Sequence, residues 1–214
     1  MSDGMARARQ AMLELVLQYV KDPRVIEVMA AVPREAFVLP EWRDRAYEDS
    51  PLPIGHGQTI SQPLMVAMML EAAAPGGAER VLEVGAGSGY TLALLRRLAG
   101  RVYGVERIPE LAARAVENLR ACGISDVTVE TAGPALGMPR HAPYDLIVVS
   151  AAAPNVPQPL LDQLVPAGRL VMPVGSRMHQ ELVRVRRSGA GWQSRFLGPC
   201  RFVPLIEREP RRSE

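Results

Sequence analysis

The 214-residue chain is predicted to be an α/β protein: a doubly wound, mostly parallel sheet, preceded by a helical appendage and closed by an antiparallel hairpin. Three observations carry this. Short apolar runs alternate with amphipathic segments through the middle of the chain, the pattern of strand–helix–strand units with right-handed crossovers. One of these runs, Val81-Leu82-Glu83-Val84, passes directly into Gly85-Ala86-Gly87-Ser88-Gly89 and then into an amphipathic stretch, which reads as strand, tight turn, helix. Near the end, residues 181–187 and 192–197 are two strand-like runs split by Ser188-Gly189-Ala190-Gly191, the mark of a hairpin.

Taken in order, residues 5–20 carry apolar side chains at Met12, Leu13, Leu15, Val16, Leu17 and Tyr19, read as a helical stripe. Asp22-Pro23 reads as a cap and first helical position, opening a helix to about residue 32 that Pro33 ends. Residues 34–45 are irregular, with Phe37, Leu39 and Trp42 as anchors, and residues 1–48 as a whole form the appendage. Residues 49–63 are a long connection with three prolines and two glycines, expected to be neither helix nor central strand because proline fixes φ and lacks an N–H. Connections of that length are often functional. A helix follows over 64–74. The α/β core of residues 64–206 then has strands at 81–84, 101–105, 127–130, 144–150 and 169–173, with helices at 90–99, 109–121 and 157–164. The strand at 144–150 is the most apolar, as befits one covered on both faces. Residues 202–205 close the ordered part and 207–214 are expected to fray, so that residues 1–214 make one domain.

Composition narrows the function. Lys and Arg number 25 against 23 Asp and Glu, and a net charge of +2 is too small to suggest a nucleic-acid partner. No apolar run is long enough to span a bilayer, and the first thirty residues show no secretory leader. Cys122 and Cys200 form neither a C-x-x-C pair nor a metal spacing, so no metal is expected. A monomer in the reducing cytoplasm is the expectation.

The glycine turn suggests a cofactor dock. Glycine permits positive φ and brings no Cβ between ligand and backbone, and the new helix offers free N–H groups to an anion. A dinucleotide fold calls for G-x-G-x-x-G. Here the third glycine comes one residue early and Tyr90 fills its place. Glu106, at the end of Val102-Tyr103-Gly104-Val105, could accept both hydroxyls of a ribose. The E-x-G-x-G-x-G pattern followed by such an acid resembles the Rossmann-like S-adenosylmethionine methyltransferases; an ordinary glycine turn and an NAD site are the alternatives.

The substrate is suggested elsewhere. Asp49-Ser50-Pro51-Leu52-Pro53-Ile54-Gly55-His56-Gly57-Gln58-Thr59-Ile60-Ser61-Gln62-Pro63 resembles the corresponding loop of the protein-L-isoaspartate O-methyltransferases, which repair isomerised aspartate and asparagine. The likeness recurs in Leu161-Asp162-Gln163-Leu164, in Gly168-Arg169-Leu170 and in Phe202-Val203-Pro204-Leu205. It implies S-adenosylmethionine as methyl donor, isoaspartyl proteins and peptides as substrate, and Ser61 as the residue that aims the reacting carboxylate, with Thr59 assisting. It also implies that Ile54, Gly55, His56 and Gly57 cover the cofactor. Glu83 would face its amino group, Gly85 and Gly87 would lie along it, and Glu106 would hold the ribose with Arg107 beside it. Ser61 could instead cap the helix beginning at Pro63. His56 is not needed as a base, because a carboxylate nucleophile is already ionised; a cavity wall or a loop hydrogen bond is its expected role.

One departure stands out. Where the family reads G-D-G, this chain reads Gly133-Pro134-Ala135, followed by Leu136-Gly137-Met138. The aspartate expected to accept from the adenine amino group is missing, which predicts weaker cofactor binding. Other readings are a carboxyl methyltransferase with a different peptide substrate, or a regulatory protein with a vestigial methyltransferase fold. A nucleic-acid methyltransferase is disfavoured by Ser150-Ala151-Ala152-Ala153-Pro154, which lacks an N-P-P-Y-type tetrad.

Overall fold

A computed structural model describes residues 3–189 and 191–206. The fraying expected of 207–214 and the hairpin residue Ala190 lie outside the described residues.

The chain opens with two helices, α1 (Asp3–Tyr19) and α2 (Pro23–Ala31). Asp22 caps α2 by accepting from the Arg24 N–H, with Pro23 at the first position. Two short 3-10 turns, Arg34–Phe37 and Pro40–Arg45, fill the stretch read as irregular. Two strands, β1 (Leu52–Gly55) and β2 (Gln58–Ile60), then pair antiparallel as a separate ribbon. Residues 49–63 thus hold no helix and no strand of the main sheet, but the ribbon within them was not foreseen. The prolines do keep it out of the main sheet, but a two-stranded ribbon needs few donors. Its turn has positive φ at both central residues, His56 (54°) and Gly57 (69°), the hallmark of a tight hairpin turn.

Helix α3 (Pro63–Ala73) leads into the alternating core: β3 (Arg80–Val84), α4 (Tyr90–Leu98), β4 (Arg101–Glu106), α5 (Pro109–Ala121), β5 (Thr128–Thr131), β6 (Tyr144–Val149), α6 (Gln158–Leu161) and β7 (Leu164–Gly175). The hairpin follows as β8 (Gln180–Ser188) and β9 (Gly191–Cys200). The sheet order is β5-β4-β3-β6-β7-β8-β9, parallel through β7 and antiparallel beyond. β7 begins earlier than the expected residue 169 because Leu164 already pairs with Tyr144; a bulge then intervenes, and continuous pairing resumes at Leu146 with Arg169. α6 is correspondingly shorter than its expected span.

Neighbouring residues on a strand face opposite sides, and both sides are buried here. Val81 and Leu146 join one apolar cluster, whereas Leu82 and Ile147 join the other. The first cluster takes in Val16 of α1, Met29 of α2 and Leu70 of α3, all buried. The N-terminal helices thus pack on α3 and α4 and share the core on one side of the sheet. Among the described residues no helix is long and apolar enough to cross a membrane.

Candidate active site

Strand order reverses between β3 and β6, and the crevice at such a point is where open α/β sheets bind ligands. A cavity of about 730 Å³ lies there, walled by the strand ends Val84, Glu106, Thr131 and Ser150. The glycine turn forms its floor. A Cβ on Gly87 would come within 3.2 Å of Ile54 Cδ1, so the missing side chain lets Ile54 of β1 settle over the turn. A Cβ on Gly89 would meet the Ala115 backbone at 3.2 Å, so that glycine lets α4 approach α5 closely. The Arg114 guanidinium donates to the Ile54 carbonyl at 2.7 Å, tying the ribbon to α5.

Most of the residues singled out in the sequence meet at this cavity. Ile54, Ser61, Glu83, Gly85, Gly87, Glu106 and Arg107 all line it. Gly55, His56 and Gly57 do not; they form the tip of the β1–β2 turn, with His56 and Gly57 exposed. The His56 backbone carbonyl accepts from the Gln58 side chain at 3.3 Å. The cavity wall is made instead by Ile54 and by Gln58, Thr59 and Ile60, of which only Ile54 was named beforehand as a cofactor contact.

Glu83 is fully buried at the cavity floor. Its Oε1 accepts from the Ser150 hydroxyl at 2.8 Å, while Oε2 has no partner. Burial pushes its pKa up to about 8; the hydroxyls of Ser150 and Thr91 pull the other way, and Glu106 adds to the rise. Ser150 and Thr91 were missed in the sequence, because their nearness to Glu83 depends on the β3–β6 register and the α4 entry. Glu106 is held differently. Its two oxygens accept from the Gly87 N–H at 3.0 Å and the Ile108 N–H at 2.9 Å. A carboxylate has acceptor capacity for further donors beyond these two.

Ser61 does not cap α3. The helix begins after Gln62, and Asp49 takes the cap role by accepting from the Leu64 N–H at 3.0 Å. The Ser61 hydroxyl has no hydrogen-bond partner among the described residues, which leaves it free to donate into the cavity. Gly133, Pro134 and Leu136 form another wall. Gln163 braces that wall, donating to the carbonyls of Leu136 (2.8 Å) and Pro159 (2.7 Å) and accepting from the Met138 N–H (2.9 Å). No group of three or more metal-ligating side chains occurs among the described residues.

The family model described as protein-L-isoaspartate(D-aspartate) O-methyltransferase matches residues 7–210. The chain belongs to that family. It is 50% identical over 202 residues to a protein-L-isoaspartate O-methyltransferase of Roseiflexus sp. (strain RS-1), covering 94% of this chain and 93% of the relative. A second such enzyme, from Pelobacter propionicus, is 52% identical over 198 residues, covering 92% and 88%. Among solved structures, a protein-L-isoaspartate O-methyltransferase superposes with a TM-score of 0.81 at 26% identity, covering 92% of this chain and 66% of the other. A Plasmodium falciparum structure in complex with S-adenosyl-L-homocysteine gives the same TM-score, 0.81, at 24% identity, covering 94% and 99%; it bears on the fold.

The cavity of this family member suits its cofactor. The unpartnered, buried Glu83 Oε2 matches an ammonium group.

Proposed function

We propose that this enzyme transfers the methyl group of S-adenosylmethionine to the α-carboxylate of L-isoaspartyl residues in damaged proteins and peptides, with Ser61 aiming that carboxylate. The reading is supported most directly by the convergence of a free Ser61 hydroxyl and an unpartnered Glu83 carboxylate on one cavity at the sheet's switch point.

Bound S-adenosylmethionine supplies an activated methyl group. Glu83 would pair with the amino group of its methionine end, Glu106 would accept from the ribose, and Gly85 and Gly87 would lie along it. Arg107, exposed at the rim, would stand beside the ribose. Ile54 covers the turn. No residue of the chain has to remove a proton, because a carboxylate nucleophile is ionised at neutral pH. The work left to the protein is alignment and exclusion of water. Ser61 donates to one carboxylate oxygen and so directs the other at the methyl group. A hydrogen bond to a charged group contributes about 1.5–3 kcal/mol, which sets the scale of Ser61's effect.

The same reading makes the enzyme a cytoplasmic monomer without a nucleic-acid partner, the last supported by its net charge of +2. Mass spectrometry of an isoaspartyl peptide incubated with the enzyme and S-adenosylmethionine tests the reading. A methyl ester on the α-carboxylate is the expected product, and an unmodified peptide contradicts it.

A further inference from the structure

Arg34 is the largest of the fully buried side chains among the described residues. It belongs to the N-terminal segment and was not singled out in the sequence. A buried cation destabilises a fold unless it is paired and hydrogen-bonded, so its partners indicate what holds it there. Its Nε donates to the Ala46 carbonyl at 2.7 Å, and its Nη2 donates to the Ser61 carbonyl, also at 2.7 Å. The guanidinium carbon lies 5.0 Å from the centroid of the Tyr90 ring, a cation–π contact, and Phe37 packs edge-on to the same ring at 5.6 Å. Tyr90 in turn lines the cavity beside Ser61.

Ser61 is therefore held on both sides. Arg34 grips its carbonyl. Asp49 accepts from the side chain of Gln62 at 2.6 Å and from the N–H of Leu64 at 3.0 Å. The Asp49 charge also favours the charged form of Arg34, against a burial that lowers its pKa to about 10; the guanidinium remains charged at neutral pH. What this brace leaves unengaged is the Ser61 hydroxyl. A residue that only filled space between the N-terminal segment and α4 would not need a donor on the carbonyl of that serine.

We propose that Arg34 is a positioning residue for methyl transfer, fixing the direction of the Ser61 hydroxyl through the Ser61 carbonyl. The proposal rests on the role given to Ser61 above. A lysine at position 34 would keep the charge but lose the planar fork that reaches two carbonyls at once. Misplacement of an aligning group by about 1 Å can reduce a rate ~10²-fold.

The test is a double-mutant cycle of wild type, Arg34→Lys, Ser61→Ala and the double variant. Turnover of an isoaspartyl peptide is read alongside S-adenosylhomocysteine affinity by calorimetry and amide exchange by mass spectrometry. Arg34→Lys is expected to lower kcat about 10- to 100-fold with cofactor affinity within about twofold of wild type. In the Ser61→Ala background the same change should alter kcat less than about twofold, because the group it positions is gone. Exchange in the segment around Ser61 should rise about tenfold while that of β3 and β6 stays unchanged. Equal kcat losses in both backgrounds, or unaltered exchange around Ser61, would overturn the proposal. If Arg34→Lys does not fold, Arg34→Gln enters the same cycle with the same criteria. A wild type inactive on the peptide contradicts the proposed function, whereas the exchange readout judges Arg34 independently of it.

Discussion

At the scale of single residues, the site is a set of polar groups whose surroundings differ. Ser61 is free to donate, so Ser61→Ala should lower kcat about 10- to 100-fold, the loss of one hydrogen bond to a charged group, with little change in S-adenosylhomocysteine affinity by calorimetry. Glu83 is strained electrostatically. Its folded pKa is raised from 4.5 to about 8 by burial, so its protonated form is favoured in the fold. That contribution is complete below about pH 4.5 and is lost as pH rises through about 8. Glu83→Gln cannot ionise. Its thermal stability should therefore match wild type near pH 4 and exceed it increasingly towards pH 8.5, by an amount on the order of a few kcal/mol, while its cofactor affinity falls. Pro134 lines the cavity without a side-chain acceptor, and Pro134→Asp should tighten S-adenosylhomocysteine binding about tenfold, the scale of one hydrogen bond to a charged group. Glu106 could be picked out in the sequence from its place at the end of the strand after the glycine turn, and Glu83 and Ser61 from the resemblance of their stretches to the family. Arg34, Ser150 and Gln163 could not, since each acts through a partner far away in the chain: Arg34 on Ser61, Ser150 on Glu83, and Gln163 on Leu136.

At the scale of elements, the core alternation was readable because strands covered on both faces are continuous apolar runs, and Val81-Leu82 or Leu146-Ile147 serve two clusters at once. The β1–β2 ribbon escaped notice because its prolines are strand breakers in a large sheet, yet a two-stranded ribbon leaves half its donors unused. Ile54, Gln58, Thr59 and Ile60 of that ribbon line the cavity, and the turn at Gly55-His56-Gly57 does not. The entry to α3 shows a similar displacement. The cap comes from Asp49, fifteen residues before Leu64, and not from the adjacent Ser61. Asp49→Ala should thus remove a helix cap worth about 1 kcal/mol and lower the melting temperature by a few degrees, and Ser61→Ala should leave it nearly unchanged. Thermal melts of the two variants side by side check this.

At the scale of the whole molecule, the N-terminal helices, the ribbon and the sheet share one apolar cluster. Met29 of α2 is fully buried in the same cluster as Leu70 and Val81. Met29→Ala should accordingly cost about 2–5 kcal/mol and shift a single unfolding transition; a separate early transition would mean that α2 folds apart from the sheet. Fold class was open to sequence reading because it depends on periodicity. The sharing of one core by the N-terminal segment and the sheet was not, because it depends on which apolar faces meet. The central claim is that this shared frame holds Ser61 over a methyl donor to act on an isoaspartyl carboxylate. It is tested most directly by comparing initial rates of methyl transfer to a peptide containing L-isoaspartate and to its twin with ordinary aspartate at the same position. The account predicts rapid methylation of the isoaspartyl peptide and none of the aspartyl one; equal rates on the two, or no reaction with either, would contradict it.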